Sequence, residues 1–140
     1  MRAVIDTNVV LSALLWGGVP GKLIDHVRDG SITFVSSPAL LAELAKVMAR
    51  PKFDAIFRKS QTSRTQALAY IQQLAETIDP PSLARRICRD PDDDAVLALA
   101  IAAKVDLIIS GDDDLLTLAS FEGVQILAPA QALKAIGHSP

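Results

Sequence analysis

Apolar and polar positions divide the chain into short apolar runs that alternate with helical stripes. Residues 2–6 (Arg-Ala-Val-Ile-Asp) read as a short buried strand ending in an aspartate. Residues 9–15 form an apolar helix start, broken at Trp16-Gly17-Gly18. Pro20 suits a first helical turn, and residues 22–28 continue as an amphipathic helix that Gly30 stops. Residues 32–35 form a second strand. Ser37-Pro38 gives an N-cap followed by proline at the first helical position. Leu40, Leu41, Leu44, Val47 and Met48 then recur at helical spacing until Pro51. A further helix spans 63–76, with Ala67, Leu68, Ile71, Leu74 and Ala75 inside, and residues 77–79 fit a short edge strand. Asp90-Pro91-Asp92 opens a helix whose Val96, Leu97, Ala100 and Ile101 face the core. Leu107-Ile108-Ile109 is a fully buried strand within 106–110. A short helix over 112–118, a strand over 125–127 and a last helix over 129–136 complete the pattern. Continuously apolar strands separated by helices predict an α/β sandwich on a central parallel sheet.

Composition fits one such domain over residues 1–140. Half of the residues are hydrophobic and mean hydropathy is +0.31, which excludes disorder. The length supports one core and not two. A single cysteine, Cys88, excludes a disulfide framework and a Cys-based zinc site, so a reducing cytoplasmic setting is expected. The longest uncharged stretch, 7–21, holds three glycines and a proline and is too short to span a bilayer. Asp6 also interrupts any signal-peptide segment. Net charge is −2, so no global basic field advertises nucleic acid. The acids are lopsided, however: 13 are Asp and 3 are Glu, and eight of the Asp lie between Asp90 and Asp114. Asp favours caps, turns and ligand positions over helix surfaces.

In an open parallel sheet, sites form beyond the carboxyl ends of the strands. Asp6 ends the first strand, and Asp112 follows the 107–109 strand by three residues. Asp92, Asp93 and Asp94 open the helix leading into that strand, and Glu43 lies six residues past the Ser37 cap. Each acid has an ordinary reading. Asp6 can cap the next helix, Glu43 can be a solvated helix residue, and the triple-Asp runs can complement helix N-termini. Together they say more. Several carboxylates in one cleft raise one another's pKa and stay ionised only with cations bound. An oxygen-only set, with His26 and His138 peripheral, favours Mg²⁺ or Mn²⁺ over zinc. Such a centre suits phosphoryl chemistry.

Four segments in order resemble the motifs of the PIN-domain nucleases. They are Val-Ile-Asp-Thr-Asn-Val-Val-Leu-Ser from Val4, Ser-Pro-Ala-Leu-Leu-Ala-Glu from Ser37, Asp-Pro-Asp-Asp-Asp-Ala-Val-Leu-Ala-Leu-Ala from Asp90, and Ile-Ile-Ser-Gly-Asp-Asp-Asp-Leu-Leu from Ile108. The set spans positions 4–116, and the subgroup it most resembles is the VapC toxins of toxin–antitoxin pairs. The resemblance implies a PIN-like three-layer α/β/α sandwich with a central, mostly parallel sheet. It implies a metal-dependent endoribonuclease that hydrolyses RNA with Mg²⁺ or Mn²⁺ and no side-chain nucleophile. Residue by residue, it makes Asp6, Glu43 and Asp112 metal-binding acids, and either Asp93 or Asp94 the acid of the third motif. Asp114 matches an additional acid. Asn8 and Ser110 match polar positions that orient the carboxylates. The implied partners are an RNA substrate, a small cognate antitoxin protein and, as is common in the family, a second copy of the chain. No membrane is implied.

RNA must still approach an acidic pocket. Lys46, Arg50, Lys52, Arg58, Lys59 and Arg64 stand against one acid, Asp54, and Arg58 and Lys59 are the expected RNA contacts. A solvated basic face is the competing reading, and Arg85, Arg86 and Arg89 form a second basic candidate. Leu14, Leu15, Trp16 and Val19 are read as core packing rather than as a contact surface. An inactive PIN-like scaffold remains as an alternative, which four present motif acids disfavour. Phosphotransfer folds are disfavoured because Asn8 stands where a phosphatase needs its second acid.

Overall fold

The structure is a computed structural model that describes residues 1–137, so His138 lies outside the described residues. Six strands form one sheet: β1 (Arg2–Ile5), β2 (Thr33–Ser36), β3 (Glu76–Thr77), β4 (Leu107–Ile109), β5 (Ser120–Phe121) and β6 (Val124–Leu127). Their order is β3-β2-β1-β4-β6-β5, and every pairing is parallel except that of β5 with β6. The chain lays out β1, β2 and β3 in one direction, then crosses back to set β4 on the other side of β1. The carboxyl ends of β1 and β4 therefore flank the switch point, where a crevice opens for a ligand.

The helices are α1 (Thr7–Leu15), α2 (Gly18–Arg28), α3 (Pro38–Met48), α4 (Asp54–Ser60), α5 (Arg64–Leu74), α6 (Pro91–Ala103), α7 (Asp113–Leu118) and α8 (Pro129–Gly137). Strand alternation divides them into two layers. Ala3, Ile5, Phe34, Leu107 and Ile109 face a core shared with α1, α2, α3, α5 and α8. Val4, Val35, Ile108 and Ile126 face the other core, filled by Val96, Leu97 and Leu99 of α6 and Leu115 of α7. Full burial of a side chain such as Leu97 or Ile108 stabilises the fold by about 1.5–3 kcal/mol. The result is an α/β/α sandwich.

Several local expectations are corrected. No element is expected over 51–62, yet Pro51–Phe53 is a 3₁₀ turn and α4 follows it. Phe53 and Phe57, one helical turn apart, are buried and anchor this segment among its basic residues. The two-residue β5 is likewise unexpected. It reaches β6 through Glu122 and Gly123, both at positive φ (51° and 83°). That turn twists correctly for a hairpin, but its first residue is an unusual one for it. Ile101 is 39% exposed, because the buried positions of α6 leave residue 101 on the outer side. Trp16 is 67% exposed, whereas Leu14 and Leu15 pack partly against the core. Gly17, at φ 71°, allows the break between α1 and α2. Among the described residues no helix is long and apolar enough to cross a membrane.

Candidate metal centre

The acids gather at the β1–β4 crevice because of how the adjoining elements begin. Asp6 directly follows β1, and its N–H donates to the Ile109 carbonyl, which ties it to β4. Asp6 holds the N-cap position of α1, yet its side chain makes no capping bond there. It accepts instead from Ser110 Oγ at 2.7 Å. Ser110 is fully buried just past β4, and its Oγ accepts in turn from the Asp112 N–H at 3.0 Å. One hydroxyl thus links the acid after β1 to the acid after β4.

Asp112 also caps α7, its Oδ1 accepting from the N–H groups of Asp114 (2.8 Å) and Leu115 (3.4 Å). One carboxylate oxygen from each of Asp93, Asp112 and Asp114 lies within 4.8 Å of the other two. Asp93 comes from the first turn of α6, where Asp90 supplies the cap by accepting from the Asp92 N–H. Asp93 is 5% exposed, and its Oδ2 is buried without a hydrogen-bond partner. Burial, and then the charges of Asp112 and Asp6, push Asp93 up to about 7. Burial raises Asp6 as well, against the opposing hydrogen bond from Ser110. Glu43, half-buried on α3, is raised by burial and then by Asp92, while Thr7 Oγ1 donates to its Oε2 at 3.2 Å. An oxygen-only set under mutual repulsion, with one buried oxygen lacking any donor, fits a divalent cation.

The two candidates of the third motif separate clearly. Asp94 accepts from the N–H groups of Cys88 (2.7 Å) and Ile87 (3.1 Å), so its carboxylate holds the loop before α6. Asn8 is exposed and lines a cleft of about 380 Å³ with Ser12, Gly111 and Asp112, but it hydrogen-bonds to none of the acids. Among the described residues, Arg58 and Lys59 make no ion pair with an acid of the centre. The two ends of the α3–α5 hairpin return to the sheet at Ser37 and Glu76, and its far end is closed by Arg64. That guanidinium donates to the carbonyls of Met48 and Arg50 and to Asp54, and stacks on Phe57. Arg58 and Lys59 sit on exposed positions of α4 in this far segment. Sequence reasoning overlooked Thr7, whose signal is its place between Asp6 and Asn8. It also overlooked the pairing of Arg89 with Asp114 at 2.8 Å. Cys88 is buried, and burial together with Asp94 pushes its thiol up to about 11, so it offers no nucleophile at neutral pH.

Comparison with known proteins identifies the fold and the family. An uncharacterized protein of Methanocaldococcus jannaschii is 33% identical over 121 residues, covering 84% of this chain and 75% of that protein. A chain in the crystal structure of VapBC2 from Rickettsia felis, bound to a DNA fragment from their promoter, shares the fold. Its TM-score is 0.61 at 16% identity, over 91% of this chain and 98% of that one. A family model described as PIN domain matches residues 2–114, a segment that starts with β1 and ends on Asp114. That segment holds every acid of the centre, and the chain belongs to the PIN domain family.

Proposed function

We propose that the chain is a metal-dependent endoribonuclease, the toxin of a toxin–antitoxin pair, using Mg²⁺ or Mn²⁺. The observation that carries the reading is the convergence of Asp93, Asp112 and Asp114, one of which, Asp93, also has a buried oxygen with no donor. Asp6, Glu43, Asp93 and Asp112 are the essential acids, and Asp114 adds a rim ligand. Asp93 is preferred to Asp94 because backbone N–H groups already occupy the Asp94 carboxylate. A divalent cation there would neutralise charge on the phosphodiester transition state and activate water. The chain's own residues prepare for it. Ser110 orients Asp6 and Asp112 together, and Thr7 aims Glu43 toward the same crevice. The toxin assignment draws on the motif resemblance and on the fold shared with a VapBC2 chain, and the expected protein partner is an antitoxin that covers the acids. The basic surface of α4, with Arg58 and Lys59, guides the RNA backbone toward the crevice.

The test is cleavage of a mixed RNA pool with Mn²⁺, Mg²⁺ or EDTA, beside Asp6→Asn. Metal-dependent cleavage that vanishes in the variant is expected. A folded chain that neither cleaves RNA nor binds Mn²⁺ would mean an inactive PIN scaffold. In the same assay, Arg58→Glu with Lys59→Glu should weaken RNA binding and flatten its salt dependence. Unchanged binding removes α4 from the reading.

A further inference from the structure

We infer that Arg89 is a phosphate-binding residue that Asp114 holds beside the acidic cluster until a cation takes that carboxylate. The inference rests on the nuclease reading and adds to it a residue that grips the nucleic-acid backbone at the cut.

Three observations carry it. First, among the ion pairs of the described residues, Arg89 is the cation that reaches the cluster. Its Nη2 lies 2.8 Å from Asp114 Oδ1, and Asp114 belongs to the group with Asp93 and Asp112. Second, the Arg89 side chain is 88% exposed. A pair this open to water is weak and exchanges readily. Third, the backbone beneath it is fixed. Asp94 accepts from the N–H groups of Ile87 and Cys88, the Cys88 side chain is buried, and the Arg86 guanidinium donates to the carbonyls of Cys88 (3.2 Å) and Arg89 (2.8 Å). The loop spends a carboxylate and a guanidinium to hold its main chain, and leaves the next side chain loose at the rim. That suits a group that must move a short distance to a ligand.

The chemistry follows from competition for one carboxylate. A cation drawing on Asp114 weakens its hold on Arg89. The freed guanidinium then faces the crevice as a planar fork, whose geometry matches two oxygens of a phosphate. It also supplies the positive charge that a polyanion needs beside six carboxylates, Asp6, Glu43, Asp90, Asp93, Asp112 and Asp114.

The experiment compares wild type, Arg89→Gln and Arg89→Lys. Mn²⁺ affinity is read by calorimetry. Binding of a phosphorothioate-linked single-stranded RNA 12-mer is read by anisotropy at several salt concentrations with Mn²⁺ present. Arg89→Gln should bind Mn²⁺ about two- to fivefold more tightly, the fold-change equivalent of a lost exposed ion pair. It should bind the RNA about fivefold more weakly, with a salt slope lower by about 0.7. Arg89→Lys should keep the slope and regain part of the affinity. Opposite signs in the two titrations are the signature, which a structural role for Arg89 does not produce. RNA binding equal to wild type overturns the inference and leaves the nuclease reading intact. Weaker Mn²⁺ binding in Arg89→Gln also overturns it, because the ion pair then serves to position Asp114. If wild type itself fails to bind RNA with Mn²⁺, the nuclease reading falls and takes this inference with it.

Discussion

The two ends of β1 carry opposite charges under opposite rules. At the amino end, Arg2 is surrounded by partners. Its guanidinium donates to Glu76 at 2.8 Å and to the Ala103 carbonyl, and its N–H donates to Asp106. At the carboxyl end, Asp6 is 7% exposed and faces other acids, with a serine hydroxyl as its hydrogen-bonding side-chain neighbour. The amino end joins β3, β1 and α6, and Arg2 there has Glu76 as its counter-charge. The carboxyl end concentrates like charges that the fold alone leaves unsatisfied. A chain selected for stability alone would not bury Asp93 with a bare oxygen. The contrast locates function where local consistency breaks, and it identifies what is missing as positive charge.

The largest expected effect tests that contrast inside one helical turn. Asp93→Asn should lower cleavage by about 10²-fold or more, yet raise the melting temperature of the metal-free protein, since it removes a buried, uncompensated charge. Asp94→Ala should do the reverse in stability. It leaves the N–H groups of Ile87 and Cys88 without their acceptor, a loss of about 1–3 kcal/mol. Melting curves beside the cleavage assay decide between the two. If Asp93→Asn destabilises and Asp94→Ala does not, the roles of the two acids are exchanged.

Ser110→Ala comes next. The variant keeps every acid but lets Asp6 and Asp112 drift, and it should lose about 10–100-fold in Mn²⁺ affinity or cleavage. Retention of both would make the hydroxyl a filler of the crevice floor and nothing more.

The legibility of this site in the sequence followed the range of the interactions involved. Asp6, Glu43 and Asp112 stand at strand ends and on a helix whose caps are local signals, so their convergence followed from a parallel sheet. Asp93 and Asp94 could not be separated in the same way. Both sit in the first turn of α6, and what divides them is the loop at 87–88, which folds back onto one and not the other. Ile101 misleads because α6 has apolar residues on several faces, which hides its solvent side. α4 was hidden for the opposite reason, since it is only seven residues long and has one buried residue, Phe57. Arg89 reads as one of three arginines until Asp114, 25 residues later, is placed beside it.

A pH series sharpens the same comparison with a smaller effect. Burial and neighbouring acids raise Asp6, Glu43 and Asp93, the last to about 7. A raised pKa means that the folded state prefers the protonated form. The stabilisation is complete below the unfolded carboxylate pKa, near 4, and is lost as pH rises through about 7. The metal-free protein should therefore melt higher at pH 5.5 than at pH 8. The difference is about 1–2 kcal/mol, well below the full shift, because Asp112 and Asp114 are half-exposed and solvent screens them. Saturating Mn²⁺ should reverse the order, since ligating carboxylates must be ionised. A metal-free protein that gains stability from pH 5.5 to 8 would show that the acids repel too little to define a cation site.

The smallest effect on activity belongs to the amino end. Arg2→Ala removes the cation paired with Glu76 and the donor to the Ala103 carbonyl, and keeps the main-chain N–H that donates to Asp106. Its ion pair with Glu76 is half open to solvent, so the melting temperature should fall by only about 3 °C. Four residues of strand separate Arg2 from Asp6, about 13 Å, and a change at that distance with no shared partner adds independently. Cleavage at saturating Mn²⁺ should therefore stay within about twofold of wild type. A large loss of cleavage with normal melting would mean that the two ends of β1 are coupled through the strand. The amino end would then be part of the machinery, and the Arg2–Glu76 pair could no longer be read as purely structural.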